Sequence, residues 1–124
     1  MQLIQISFST YRQVVPGAIH EEEEEFIMST YITLVNFTPK GIENIKESPK
    51  RLAAVKEVIQ SFGGELKGFY LAMGRYDVVL ISEAPDDKAV AKAALAIGSR
   101  GAVKTETFRV FNEGEYREII DALS

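Results

Sequence analysis

The chain has 124 residues, which suffices for one domain with one hydrophobic core. It contains no cysteine, so disulfides, thiolate nucleophiles and sulfur-ligated zinc sites are excluded. No apolar run reaches membrane-spanning length, and residues 28–124 carry 13 basic and 13 acidic side chains, without the surplus of cations that phosphate binding needs. We therefore expect a cytoplasmic protein that binds neither nucleic acid nor a membrane.

Residues 1–27 account for the net charge of −4. Apolar residues alternate at positions 4, 6 and 8, which predicts one short strand. The run Glu21–Glu25 is typical of a solvated, disordered segment, so we expect a flexible N-terminal extension in which His20 is solvated rather than a metal ligand. A second hypothesis concerns the gene, because a purine-rich glutamate run before Met28 resembles a ribosome-binding site read through as protein, with Met28 as the native start.

The folded part, residues 28–124, begins with a strand and a short helix. Residues 30–37 are rich in β-branched and aromatic side chains, which predicts the strand. Thr38-Pro39 has the form of a helix cap followed by proline in the first turn, which predicts a short helix over residues 39–46.

A longer helix and two strands follow. Ser48-Pro49 repeats the start signal, and apolar residues at helical spacing predict a helix that ends at the glycine pair 63–64. Residues 66–73 and 76–83 predict two strands joined by a two-residue type II′ turn at Gly74-Arg75.

The pattern closes with a helix, a strand and a last helix. Pro85-Asp86-Asp87 starts the first of these helices, whose many alanines predict close packing against a sheet. Residues 103–111 predict a fourth strand, and residues 113–123 predict an amphipathic C-terminal helix.

The order β-α-β-β-α-β followed by a helix predicts an α+β, ferredoxin-like fold, with a four-stranded antiparallel sheet and both main helices on one face. Apolar side chains occupy both faces of the predicted strands: Tyr31, Val35 and Phe37 oppose Ile32 and Leu34, and Phe69, Leu71 and Met73 oppose Leu66 and Tyr70. Two helices cover only one face, so the open face needs a partner. We expect a second copy, in a homodimer or higher homo-oligomer that buries roughly 800 Å² per subunit.

Several segments together resemble the GYD-domain family, which is named after a Gly-x-Tyr-Asp element. They are STYITLVNFT at 29–38, GIENIKESPKR at 41–51, FYLAMGRYD at 69–77, EAPDD at 83–87 and GAVKTET at 101–107. The resemblance covers residues 28–124 and leaves residues 1–27 as an extra segment. It implies a small prokaryotic protein of the dimeric α/β-barrel group of ferredoxin-like folds, and it implies no particular reaction.

The turn Gly74-Arg75-Tyr76-Asp77 is the main candidate site. A cation, a phenol and a carboxylate at one end of a barrel suit a small polar ligand or a proton transfer, and Asn36 adds a polar group inside an apolar strand. The structural alternative is that Gly74 forms the turn, Asp77 caps backbone amides and Tyr76 packs at the sheet edge. On the first of these interpretations, we predict that the ligand-binding residues are Arg75, Tyr76, Asp77 and Asn36.

Other motifs favour structural interpretations. Gly98-Ser99-Arg100-Gly101 with Lys104 has the composition of an anion nest, but a glycine helix stop before a strand is the favoured explanation. Lys67-Gly68-Phe69 opens like an RNA-recognition motif and then departs from it at Tyr70. No histidine or cysteine follows residue 27, and no phosphate-binding glycine loop is present, so we expect no catalytic triad, metal site or cofactor.

Three functions remain open from the sequence. The first is a homo-oligomeric domain that binds a small ligand or acts as a scaffold. The second is a cofactor-free α/β-barrel enzyme of the monooxygenase or isomerase type, which rests on fold analogy. The third is a protein-interaction module whose partner covers the open sheet face.

Overall fold

The computed structural model describes residues 11–14 and 23–123. Its strands are β1 (Tyr11–Val14), β2 (Glu23–Phe26), β3 (Ser29–Phe37), β4 (Glu65–Leu71), β5 (Val78–Ala84) and β6 (Val103–Val110), and its helices are α1 (Pro39–Glu43), α2 (Ser48–Ser61), α3 (Asp87–Gly98) and α4 (Glu113–Asp121). Strands β3 to β6 form one antiparallel sheet in the order β4-β5-β3-β6. This is the ferredoxin-like arrangement that the sequence predicted, with α4 as the added C-terminal helix.

The helix starts coincide with the capping residues. The Thr38 hydroxyl accepts a hydrogen bond from the Gly41 N–H at 3.1 Å, and the Asp86 carboxylate accepts one from the Ala89 N–H at 2.9 Å. Asn112 caps α4 in a reciprocal capping box with Glu115. The short helix predicted over residues 39–46 is instead two pieces, α1 and a 3₁₀ turn at Ile45–Glu47.

The connection between β4 and β5 differs from the prediction. Strand β4 ends at Leu71 and β5 begins at Val78, so a six-residue loop replaces the two-residue turn expected at Gly74-Arg75. The Ala72 N–H donates to the Asp77 carbonyl at 2.8 Å and closes this loop. Gly74 has a φ of +136°, a conformation that favours glycine.

The strand register separates two faces of the sheet. Tyr31 and Val35 lie on the face that packs against α2 and α3, and Ile32 and Leu34 lie on the opposite face, as predicted. Leu66 was predicted on the face opposite Phe69. This prediction is wrong, because an irregularity between Leu66 and Gly68 shifts the register of β4 against β5. Leu66 therefore shares the helix-covered face with Phe69 and packs against the cluster around Val35.

Two strands of residues 1–27 pair with each other. Strands β1 and β2 form an antiparallel ribbon in which Tyr11 lies opposite Phe26, and the sequence predicted neither strand. The predicted strand at positions 4 to 8, His20 and the first two glutamates of the run at 21–25 lie outside the described residues. That residues 1–27 are a separate extension of the domain at 28–124 stays a prediction.

Candidate functional site

Asp77 and Asn36 join the β4–β5 loop to the end of β3. One Asp77 carboxylate oxygen accepts the Phe37 N–H at 2.9 Å and lies 3.4 Å from the Asn36 amide nitrogen. The same amide nitrogen donates to the Arg75 carbonyl at 2.9 Å, and the Asp77 N–H donates to the Val35 carbonyl at 2.8 Å. The structure thus brings these predicted site residues together, and it uses Asp77 as a cap on strand backbone.

Arg75 and Tyr76 form the outer part of the same loop. The Tyr76 hydroxyl donates to the Glu106 carboxylate of β6 at 2.9 Å, and the Arg75 guanidinium lies 5.5 Å from the centre of the Tyr76 ring. The interaction with Tyr76 raises the pKa of Arg75, which is fully exposed. All four predicted residues therefore meet at one end of the sheet, together with Glu106, whose contact with Tyr76 spans 30 residues of sequence.

The sheet face opposite α2 and α3 is called the open face below. Its side chains alternate with those under the helices, and its apolar members are Ile32, Leu34, Tyr70, Val79, Ile81, Phe108 and Val110. Tyr70 and Phe108, on the two edge strands, are 60% and 42% exposed. Among the described helices, α2 and α3 pack on the other face, so this face carries apolar side chains on every strand without a helix above it.

Glu83 is a buried carboxylate at one end of the open face. Its side chain lies in β5 beside Thr30 and Glu65 in the register, and the Thr30 hydroxyl is buried without a hydrogen-bond partner among the described residues. Burial raises the pKa of Glu83 to about 6, an effect that Lys67 opposes and Glu65 reinforces. The sequence signal for a buried carboxylate here was the position of Glu83 in β5, a strand that is otherwise mostly apolar.

Helix α4 carries a second exposed apolar surface. Tyr116, Ile119 and Ile120 of α4 and Leu123, just beyond its end, are all exposed. An Arg109–Glu115 ion pair at 3.3 Å links the helix to β6, and the Arg109 guanidinium lies over the Phe111 ring. The helix is thus attached at its start and presents its apolar residues to solvent.

The glycine loop at residues 98–101 has a structural role. The Gly101 carbonyl accepts the Thr38 hydroxyl at 2.6 Å, and the Arg100 carbonyl accepts the Lys40 ammonium at 3.3 Å. Both contacts present backbone acceptors to α1, where an anion nest would present donors. Within residues 11–14 and 23–123, no group of three or more histidine, cysteine or acidic side chains is arranged to hold a metal ion, and no helix is long and apolar enough to cross a bilayer.

Comparison with solved structures shows the fold. A feast or famine regulatory protein from M. tuberculosis, complexed with L-methionine, superposes with a TM-score of 0.53 at 15% identity over 70% of this chain. A leucine response regulatory protein from Mycobacterium tuberculosis superposes with a TM-score of 0.52, also at 15% identity over 70% of this chain. The chain spans 52% of the length of each of these structures.

Comparison at the sequence level is more specific. A Thermus thermophilus protein named glutamine synthetase and cystathionine beta-lyase binding protein is 40% identical over 81 residues, which are 64% of this chain and 85% of that protein. The family model of the GYD domain matches residues 31–120. The chain therefore belongs to the GYD-domain family, as the sequence motifs predicted.

Proposed function

We propose that this chain is a homodimeric protein-binding domain whose open face forms the subunit interface and whose partner is a metabolic enzyme. The observation that carries the proposal is the open face itself, which presents apolar side chains on all four strands. An apolar sheet face without a helix above it marks an interaction site in soluble proteins. The partner class follows the name of the Thermus thermophilus relative, which specifies glutamine synthetase and cystathionine β-lyase.

The size of the open face supports a second copy as its occupant. Four strands about 4.8 Å apart, each about eight residues long at about 3.3 Å per residue, cover roughly 19 by 26 Å, or about 500 Å² in projection. A standard interface buries about 800 Å² of accessible surface per partner. Side-chain relief on the sheet brings the accessible area toward that value, so two open faces packed together would make a stable barrel.

The partner enzyme would then bind to the outer surface of the barrel formed by the two copies. The loop at Arg75 and Tyr76 offers a fully exposed cation beside an aromatic ring, a combination that is enriched in protein interfaces. We therefore assign the predicted binding role of the loop to contact with the enzyme, with Asp77 and Asn36 holding the loop in place. Asn36, Asp77 and the Tyr76 hydroxyl are engaged in hydrogen bonds within the protein, so the exposed Arg75 guanidinium carries the proposed contact.

The proposal is tested by co-elution of the full chain with purified glutamine synthetase and, separately, cystathionine β-lyase from the same organism. We expect a complex with at least one of them, and we expect Arg75→Ala to weaken it severalfold. Lys56→Ala, an exposed change on α2, serves as the control and should bind like the wild type. Absence of a complex with both enzymes at tens of micromolar would contradict the assigned partner class.

A further inference from the structure

A cavity lies on the other side of the sheet, between the strands and helices α2 and α3. Its volume is about 90 Å³, and it is partly open to solvent. It forms where small side chains meet: Thr33 and Thr107 of the sheet hydrogen-bond each other at 2.9 Å below Ala89 and Ala93 of α3. The alanines of α3 were predicted to let the helix pack close to the sheet, and space that larger side chains would fill remains beside Ala89 and Ala93.

The cavity lining is predominantly hydrocarbon with one charged group. Val35, Leu80 and Val55 are typical of its walls, whereas Arg51 is the one ionisable side chain among the described residues that line it. No aspartate or glutamate of the described part of the chain reaches this lining. A ligand with an ammonium group would therefore meet a like charge without compensation, and a ligand with a carboxylate would meet a cation.

Arg51 is held at the α1 end of the cavity. Its Nη1 donates to the Asn44 carbonyl at 2.9 Å, and its Nη2 donates to the Gly41 carbonyl at 3.3 Å. These two contacts use only part of the donor set of a guanidinium. The ion pairs among the described residues do not include Arg51, so its positive charge has no carboxylate partner there.

We propose that this cavity binds a short-chain aliphatic monocarboxylate, with its carboxylate on Arg51 and its hydrocarbon chain between the sheet and α3. An apolar cavity of about 150 Å³ accepts a benzene molecule, so 90 Å³ accommodates a chain of about four carbon atoms with the carboxylate at the opening. Thr105, which lies in β6 and lines the cavity, adds a hydroxyl as a polar contact. The site lies opposite the open face and goes beyond the proposed dimer and its enzyme partner.

The test is an NMR titration of the ¹⁵N-labelled full chain with three matched compounds. Isovalerate carries the branched chain and the carboxylate, valine adds an α-ammonium group, and 3-methylbutanol replaces the carboxylate by a neutral hydroxyl. We expect isovalerate to shift the amide signals around the cavity, with affinity at least tenfold higher than that of either other compound. No shift with isovalerate at millimolar concentration, or equal affinity for 3-methylbutanol, would overturn the proposal.

Variants separate the contribution of the charge from that of the cavity. Arg51→Gln should weaken isovalerate binding at least tenfold and leave 3-methylbutanol binding unchanged. Because Arg51 also holds α1, Ala93→Leu provides an independent arm: it fills the cavity and should abolish binding while the fold is retained. Ala91→Leu is the matched control, since Ala91 lies on the exposed side of the same helix. Unchanged binding in Ala93→Leu would place the ligand elsewhere and refute the site.

Discussion

The Asp77 side chain is expected to act as a structural cap rather than as a ligand-binding group. In Asp77→Ala, the Phe37 N–H and the Asn36 amide lose their shared acceptor. A hydrogen bond to a charged group contributes about 1.5 to 3 kcal/mol, and the site is only partly buried, so we expect a loss of about 2 kcal/mol in the free energy of unfolding. In Asp77→Asn, the amide oxygen still accepts the Phe37 N–H, and the loss should stay below about 1 kcal/mol.

The assay is urea unfolding of both variants at one fixed protein concentration, since the stability of an oligomer depends on concentration. With a urea dependence of about 1 to 3 kcal/mol per molar, Asp77→Ala should lower the midpoint by about 1 M. Asp77→Asn should remain near the wild type and bind the enzyme partner normally. The reasoning is refuted if alanine and asparagine cost the same stability, or if Asp77→Asn folds normally and loses binding.

Three further changes test the fold and its electrostatics. Glu83→Gln should be about 1 to 2 kcal/mol more stable than the wild type at pH 8 and equal to it near pH 4. The reason is that the raised pKa of Glu83 makes the wild type lose stability as pH rises from about 4.5 through about 6. A difference in melting temperature between Glu83→Gln and the wild type that does not change with pH would contradict this reasoning. Gly41→Ala should destabilise by at least about 2 kcal/mol, because its Cβ would lie 2.1 Å from the Ala102 carbonyl oxygen, whereas Gly98→Ala, with nothing within 4 Å, should be neutral or stabilising. Removal of residues 1–27 should leave the melting temperature unchanged, and a drop of several degrees would show that they pack on the domain.

Local signals explain why the fold was predictable. The caps at Thr38 and Asp86 act within three residues of themselves, so their sequence patterns carry nearly all the information needed to place α1 and α3. The continuous apolar run Val78–Ile81 of β5 is typical of a covered central strand, and β5 is central in the sheet, as is β3, for which the sequence predicted only a strand. Family membership followed from motifs spread along the chain, and the family model matches residues 31–120.

The remaining features depend on contacts between distant residues. The Gly74-Arg75 pair suits a tight turn locally, but the bonds from Asp77 to β3 fix a longer loop. The face of Leu66 depends on a register shift beside Gly68; a glycine inside a strand is a local sign of such an irregularity, but the pairing with β5 decides which side chains change face. The cavity depends on how side chains of the sheet, α2 and α3 pack together, which the alanines of α3 alone do not determine. In each case the contact that determines the structure joins residues more than ten positions apart in sequence.

The homodimer formed through the open face is tested most directly by native mass spectrometry of the full chain, beside Phe108→Lys and Leu95→Lys. Both residues are exposed and apolar, but Phe108 lies on the open face and Leu95 lies on α3, which packs on the opposite face of the sheet. The account predicts an even-numbered assembly of the 13.8 kDa chain for the wild type and Leu95→Lys, and a folded monomer for Phe108→Lys. A monomeric wild type at micromolar concentration, or an assembly that Phe108→Lys leaves intact, would contradict it.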